Sequence, residues 1–242
     1  MARLLLIETA TEVCSVALSV NGAVIAQEEE LLSGSAAVHL TPLIDVCLRR
    51  AKCALAELDA VAVSRGPGSY TSLRVGTATA KGICYALDKP LIAVPTLQAL
   101  AWGARQNTPT TAGTPLRWVP MLDARRQEVW MATFDEKLLP LCPDQPLILD
   151  EYLLENFNRI DPSATDAIWI CAGNGTRKIP PQLLNKDQIV KSPVTACSAA
   201  FLAYWAERRF HERLFEDIAY FEPFYMKQPN ITQPKKILPT DF

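Results

Sequence analysis

SRGPGSYTSLRVGTATAKGICYAL, residues 64–87, reads as the end of a buried strand, a glycine-proline-glycine turn and a long helix of small residues. The apolar run from Asp59 to Ser64 has strand length, and Gly66, Pro67 and Gly68 break it. Ser69 then stands where a helix N-cap belongs, its hydroxyl able to accept from an orphan amide of the first turn. Such a turn can hold a phosphate or another anion on free amides and the positive end of the helix dipole. It can equally be a strand-to-helix turn with its cap, and the sequence leaves both open. A P-loop would place Lys and then Ser or Thr right after its last glycine, whereas the nearest lysine here is Lys81, well down the helix.

At about 100° per residue, Tyr70, Leu73, Gly76, Thr77, Ala80, Cys84 and Leu87 form one apolar or small stripe. Val75, Ala78, Thr79, Gly82, Ile83 and Ala86 form a second on the opposite side, and Arg74, Lys81 and Tyr85 make a narrow polar strip. The helix is therefore expected to be covered on two sides, by its own sheet and by a neighbouring helix or a partner protein.

Upstream, Leu4–Thr9 and Val13–Val20 read as strands, and Asn21-Gly22 is a hairpin signal leading to a third, Ala23–Glu30. Its charged end, Glu28 to Glu30, suits an exposed edge. After Ser33-Gly34-Ser35 a helix is predicted over Ala36–Leu58, with Pro42 tolerable only near its start. A strand at Pro90–Val94 and a helix at Thr96–Gln106 complete the order βββαβαβα. Past the Thr/Pro/Gly-rich segment 107–115 the pattern begins again: strands at Leu116–Asp123, Gln127–Phe134 and Pro146–Leu149, a helix at Asp150–Phe157, a strand at Ala167–Cys171 and the turn Ala172–Gly175. A short helix broken at Pro180-Pro181, a strand at Gln188–Lys191 and a helix at Thr195–Phe210 follow. The expected domains are an N-terminal lobe over 1–106, a smaller C-terminal lobe over 107–226 and an irregular tail over 227–242. Two such halves imply two sheets meeting at a cleft, lined by Thr9 to Glu12, Gly66 to Ser69 including Gly68, Asp123 to Arg126 including Arg125, and Gly173 to Gly175.

With 242 residues, 49% hydrophobic and 21% charged, the chain is long enough for one large domain or two lobes. A net charge of -2 speaks against a protein that grips nucleic acid alone. The apolar run at the start is too short for a signal peptide, no segment approaches the roughly 20 apolar residues of a membrane span, and a cytoplasmic location is expected. Seven cysteines without a CxxC pair read as reduced core residues. The two histidines, His39 and His211, lack the spacing of a metal site, and no GxSxG elbow is present, so neither metal, cofactor nor catalytic residue is expected.

LLIETATEVCSVAL at 5–18, SRGPGSYTSLRVGTATAKGI at 64–83, PLIAVPTLQALA at 90–101, MLDARRQEVW at 121–130 and EPFYMK at 222–227 together resemble the TsaB (YeaZ) family. The resemblance spans most of the chain in the right order; Glu8 stands where that family usually has Asp, and Ser72 where it usually has Gly. It implies an α/β, two-lobed actin-like ATPase (ASKHA) fold of duplicated βββαβαβα units. It implies a non-catalytic subunit that binds and activates TsaD for threonylcarbamoyl transfer to adenosine 37 of tRNA, with TsaE joining them. A homodimer of the isolated chain, contact with tRNA only through the complex, and a vestigial nucleotide cleft belong to the same expectation. An independent actin-like ATPase or phosphotransferase is the alternative. The partner surface is expected on helices 36–58 and 70–87, where Leu40, Leu43, Ile44, Leu73 and Leu87 face the sheet. Val46, Cys53, Val75, Ala78, Thr79 and Gly82 would then face the partner, rimmed by Arg50, Arg74 and Lys81.

Overall fold

The computed structural model describes residues 1–31, 36–110, 113–164, 166–184 and 187–226. The first sheet holds β1 (Arg3–Glu8), β2 (Val13–Val20), β3 (Ala23–Leu31), β4 (Ala60–Ser64) and β5 (Leu91–Val94) in the order β3-β2-β1-β4-β5. β1 to β3 form an antiparallel meander, and β4 and β5 add in parallel to the other side of β1. The second sheet repeats this: β6 (Leu116–Asp123), β7 (Glu128–Phe134), β8 (Pro140–Ile148), β9 (Ile168–Ala172) and β10 (Ile189–Lys191) run in the order β8-β7-β6-β9-β10. The matching strand orders establish the two-lobed, duplicated actin-like architecture.

Helices α1 (Ala36–Arg50) and α2 (Tyr70–Leu87) lie side by side on one face of the first sheet, α1 over β2 and β3 and α2 over β4. Leu40, Ile44 and Cys84 are buried there with Leu5, Val16 and Val61 beneath them, while Leu73 is buried against the Gly66 turn. The other face packs on α3 (Thr96–Asn107) and α5 (Ala203–His211), and with Trp118, Leu122 and Ile170 of the second sheet these form one core between the lobes. α4 (Leu153–Ile160) and 3₁₀ turns cover the far side of the second sheet around Phe157 and Trp169. Among the described residues no helix is long and apolar enough to cross a membrane.

Several boundaries differ from expectation. The helix predicted to reach Leu58 stops at Arg50, because Lys52 takes a left-handed conformation (φ 52°) and the Cys53 amide turns back to the Leu48 carbonyl. Cys53 is thus not helical. Pro42 is accommodated inside α1, where the preceding carbonyl it leaves unbonded is that of exposed Val38. β8 begins at Pro140 rather than Pro146; as an edge strand it tolerates three prolines. The helix expected from Thr195 is instead a 3₁₀ turn over Ala199–Leu202, capped by Ser198, followed by α5. The readings made for Ser33–Ser35 and for 227–242 lie outside the described residues.

The chain past α5 returns to the first lobe, although it follows the second in sequence. Glu216 donates its amide to Leu91 O (2.8 Å), Ile218 and Phe221 pack on the first core, and the Phe224 amide reaches Arg65 O (2.6 Å). Residues 212–226 thus form a strap along β5 and α2.

Candidate functional site

The interlobe cleft encloses about 920 Å³. Its first-lobe wall comes from Ala10–Glu12 in the β1–β2 turn and Pro67–Ser72 at the start of α2. Leu122–Arg126, Trp130, Asn174, Arg177 and Lys178 form the second-lobe wall, and Tyr225 and Met226 of the strap close the end. Gly66 and Gly173 occupy equivalent turns, after β4 and β9, and both take positive φ (110° and 95°), which a side chain would strain.

The turn at α2 is occupied by the protein itself. Ser69 caps the helix, its hydroxyl accepting from the Ser72 amide, while the Ser69 amide donates to Ala10 O at 2.7 Å. A Cβ on Gly68 would strike Ala10, and one on Gly76 would strike Thr9, so the β1–β2 turn is pressed against the helix start. Two of the amides that would cradle a phosphate are therefore committed, and the cap-and-turn reading describes the geometry.

Across the cleft, Asn174 Nδ2 donates to Glu12 Oε2 (2.8 Å) and its Oδ1 accepts the Asp123 amide (2.9 Å), tying the first turns of the two lobes together. Lys178 Nζ reaches both Asp123 Oδ1 (2.5 Å) and Glu128 O (2.9 Å). Partial burial pushes the Asp123 carboxyl up, but the Lys178 ammonium and the Arg125 amide outweigh it and hold the group below the ordinary carboxylate range. Arg125, Arg126 and Arg177 remain on the exposed rim.

Behind the cleft, Glu8 at the end of β1 is wholly buried. Its Oε1 accepts from the Ala10 amide (2.6 Å) and the Ser64 hydroxyl (2.8 Å), while Oε2 has no partner among the described residues. Burial pushes its pKa up to about 7, against the lowering effect of those hydrogen bonds.

Of the residues predicted for the cleft, Ala10 to Glu12, Pro67 to Ser69 with Gly68, Asp123 to Arg126 with Arg125, and Asn174 line it. Thr9 is buried behind it, donating to Ser72 O; Gly66 is bonded to Thr96; Gly173 and Gly175 sit against Met121 and Val129. Tyr70, Arg177, Lys178 and Tyr225 were not foreseen as lining residues. The tyrosines come together only through the strap, which the sequence pattern did not place.

On the two-helix face, Ala78 and Gly82 are exposed, Val75 and Thr79 half-buried. Arg74 is tied to Tyr70, with Nη1 3.0 Å from its hydroxyl and the guanidinium 5.3 Å from its ring centre. Lys81 is committed to the strap, donating to Ala219 O (3.4 Å) and Phe221 O (3.1 Å). Arg50 pairs with Glu28 and His39 with Glu30, both on edge strand β3, so the flank of α1 carrying Val46 and Arg50 turns toward the sheet edge and away from α2. Cys53 is half-buried in the turn after α1. The α2 members of the predicted surface are brought together; the α1 members lie on another flank.

The family model for TsaD, tRNA N6-adenosine threonylcarbamoyltransferase, matches residues 30–234. TsaB of Escherichia coli K12 is 36% identical over 132 residues, 54% of either chain, and TsaB of Bacillus subtilis 168 is 31% identical over 153 residues, 62% of this chain and 64% of that one. The solved structure of YeaZ from Pseudomonas aeruginosa superposes with a TM-score of 0.75 at 25% identity, covering 93% of this chain and 100% of that one. The chain belongs to that family, as a TsaB (YeaZ) member. Its sequence match spans between about half and two thirds of the length of these curated relatives.

Proposed function

We propose that this TsaB-family chain serves tRNA threonylcarbamoyladenosine biosynthesis in the cytoplasm as a non-catalytic subunit. It binds TsaD and keeps it competent to transfer the threonylcarbamoyl group to adenosine 37 of tRNA, with TsaE joining the assembly. The observation that carries this reading is the open face of α2. Ala78 and Gly82 are exposed beside half-buried Val75 and Thr79, a small-residue surface on which another helix can approach closely. The committed amides and the Glu12–Asn174–Asp123 tie across the cleft agree with a subunit that does not turn over nucleotide.

Ala78→Glu tests it. The position faces water in the isolated chain, so the variant should melt like the parent. In a complex the carboxylate would be desolvated without a partner, costing about 3 to 5 kcal/mol of association, by analogy with broken buried ion pairs. TsaD should therefore no longer be retained in a pull-down, and tRNA should stay unmodified in a reconstituted reaction. A folded Ala78→Glu protein that still holds TsaD at parental affinity refutes the proposed surface.

A further inference from the structure

The cleft presents four cationic side chains and two carboxylates in a protein whose net charge is -2. The carboxylates are already engaged, Glu12 by Asn174 and Asp123 by Lys178. Among the described residues, the guanidiniums of Arg125, Arg126 and Arg177 make no salt bridge or hydrogen bond, and of the three only Arg125 acts electrostatically on a cleft carboxylate, that of Asp123. They stand on two neighbouring elements of the second lobe, the β6–β7 turn and the 3₁₀ turn after β9. At the end of the cleft, Tyr70 and Tyr225 form an aromatic pair with ring centres 4.6 Å apart.

Free arginines along one wall and aromatic rings at the end are the two components of a surface for single-stranded nucleic acid: the charges follow phosphates, and the rings offer faces on which bases stack. A small phosphate ligand seated at α2 fits less well, because the Ser69 and Ser72 amides are committed. We propose that this cleft binds an unpaired stretch of RNA directly, with Arg125, Arg126 and Arg177 on its phosphates and Tyr225 against a base. The identity of that RNA as the tRNA being modified rests on the function proposed above.

The test uses the full chain and a fluorescein-labelled single-stranded RNA 12-mer, with anisotropy titrations at several salt concentrations. Binding should weaken steeply with salt, since displaced counterions scale with neutralised phosphates. In Arg125→Glu/Arg126→Glu/Arg177→Glu the slope of log affinity against log salt should flatten by about 2, near 0.7 for each of three lost contacts, with affinity down at least about tenfold. Tyr225→Leu keeps an apolar contact to Tyr70 and should lose about fivefold or more with the slope unchanged. Arg159→Glu, an exposed arginine that does not line the cleft, should bind like the parent. Should the triple variant misfold, Arg126→Glu alone should flatten the slope by about 0.7. No salt-dependent binding by the parent chain, or a folded triple variant with parental slope and affinity, overturns the proposal. A TsaD pull-down on the same proteins separates the two readings, because the triple variant should retain TsaD and Ala78→Glu should retain RNA.

Discussion

Glu8 should make the protein less stable as pH rises toward neutrality. In the unfolded chain its carboxyl titrates near 4.5; in the folded chain burial lifts it to about 7. Between those values the folded state holds a proton that the unfolded state has released, so unfolding free energy falls as pH rises. The whole effect is the difference of the two pKa values at about 1.4 kcal/mol per unit, or about 3 kcal/mol, lost progressively between pH 4.5 and 7 and level above that. Glu8→Gln isolates the term: its Oε1 can accept from the Ala10 amide and the Ser64 hydroxyl as the protonated acid does, and it never ionises. Urea unfolding of both proteins from pH 4.5 to 8 should show similar stability at the acid end and the Gln variant ahead by about 3 kcal/mol at pH 8, roughly 6–12 °C in Tm for a chain of this size. Buried Cys14 lies nearby but titrates at about 11, outside the window. Curves that stay parallel across the range, or a Gln variant weaker than the parent at pH 8, would refute the assignment.

Two further outcomes follow from packing. Gly76→Ala forces a methyl onto Thr9 Oγ1, a contact with no room to open because Thr9 is itself buried and bonded to Ser72 O, so thermal melting should show a loss of about 1–3 kcal/mol. All seven cysteines are free thiols, so alkylation without reductant should modify Cys53 and Cys142 first and the five buried ones only after unfolding; a pair that resists in the unfolded chain would contradict this.

The duplicated fold was legible because both halves carry strong local signals. The Asn21-Gly22 hairpin, the buried runs Leu4–Glu8 and Ala60–Ser64, and the small stripe of α2 each fix an element without help from elsewhere. Boundaries set by tertiary packing were less visible. Nothing in the periodicity of 36–58 announces that Lys52 will turn left-handed, and the prolines of 140–146 hide an edge strand. The partner surface was half legible: helical spacing finds the exposed face of α2, but it cannot show that Arg50 is committed to Glu28 on β3, or Lys81 to two carbonyls of the strap. Those partners lie 22 and about 140 residues away, and only the fold brings them near.

The difference between the two halves explains the polarity of the cleft. In the first half the connection from β4 to β5 is an 18-residue helix that places the neutral turn Pro67–Ser72 at the cleft. In the second, Pro180 and Pro181 remove successive amide donors, so the connection from β9 to β10 contains only short 3₁₀ turns among its described residues. That stretch, Asn174–Lys178, turns Asn174, Arg177 and Lys178 into the cleft beside Arg125 and Arg126 of the β6–β7 turn. A site for a small triphosphate needs phosphate-binding groups converging on one point, whereas here the first-lobe wall is self-bonded and its one charge, Glu12, is held by Asn174, and the other wall carries its arginines spread apart. Such an arrangement follows the backbone of an extended polyanion better than it encloses a compact one, because each arginine can meet a separate phosphate along the wall.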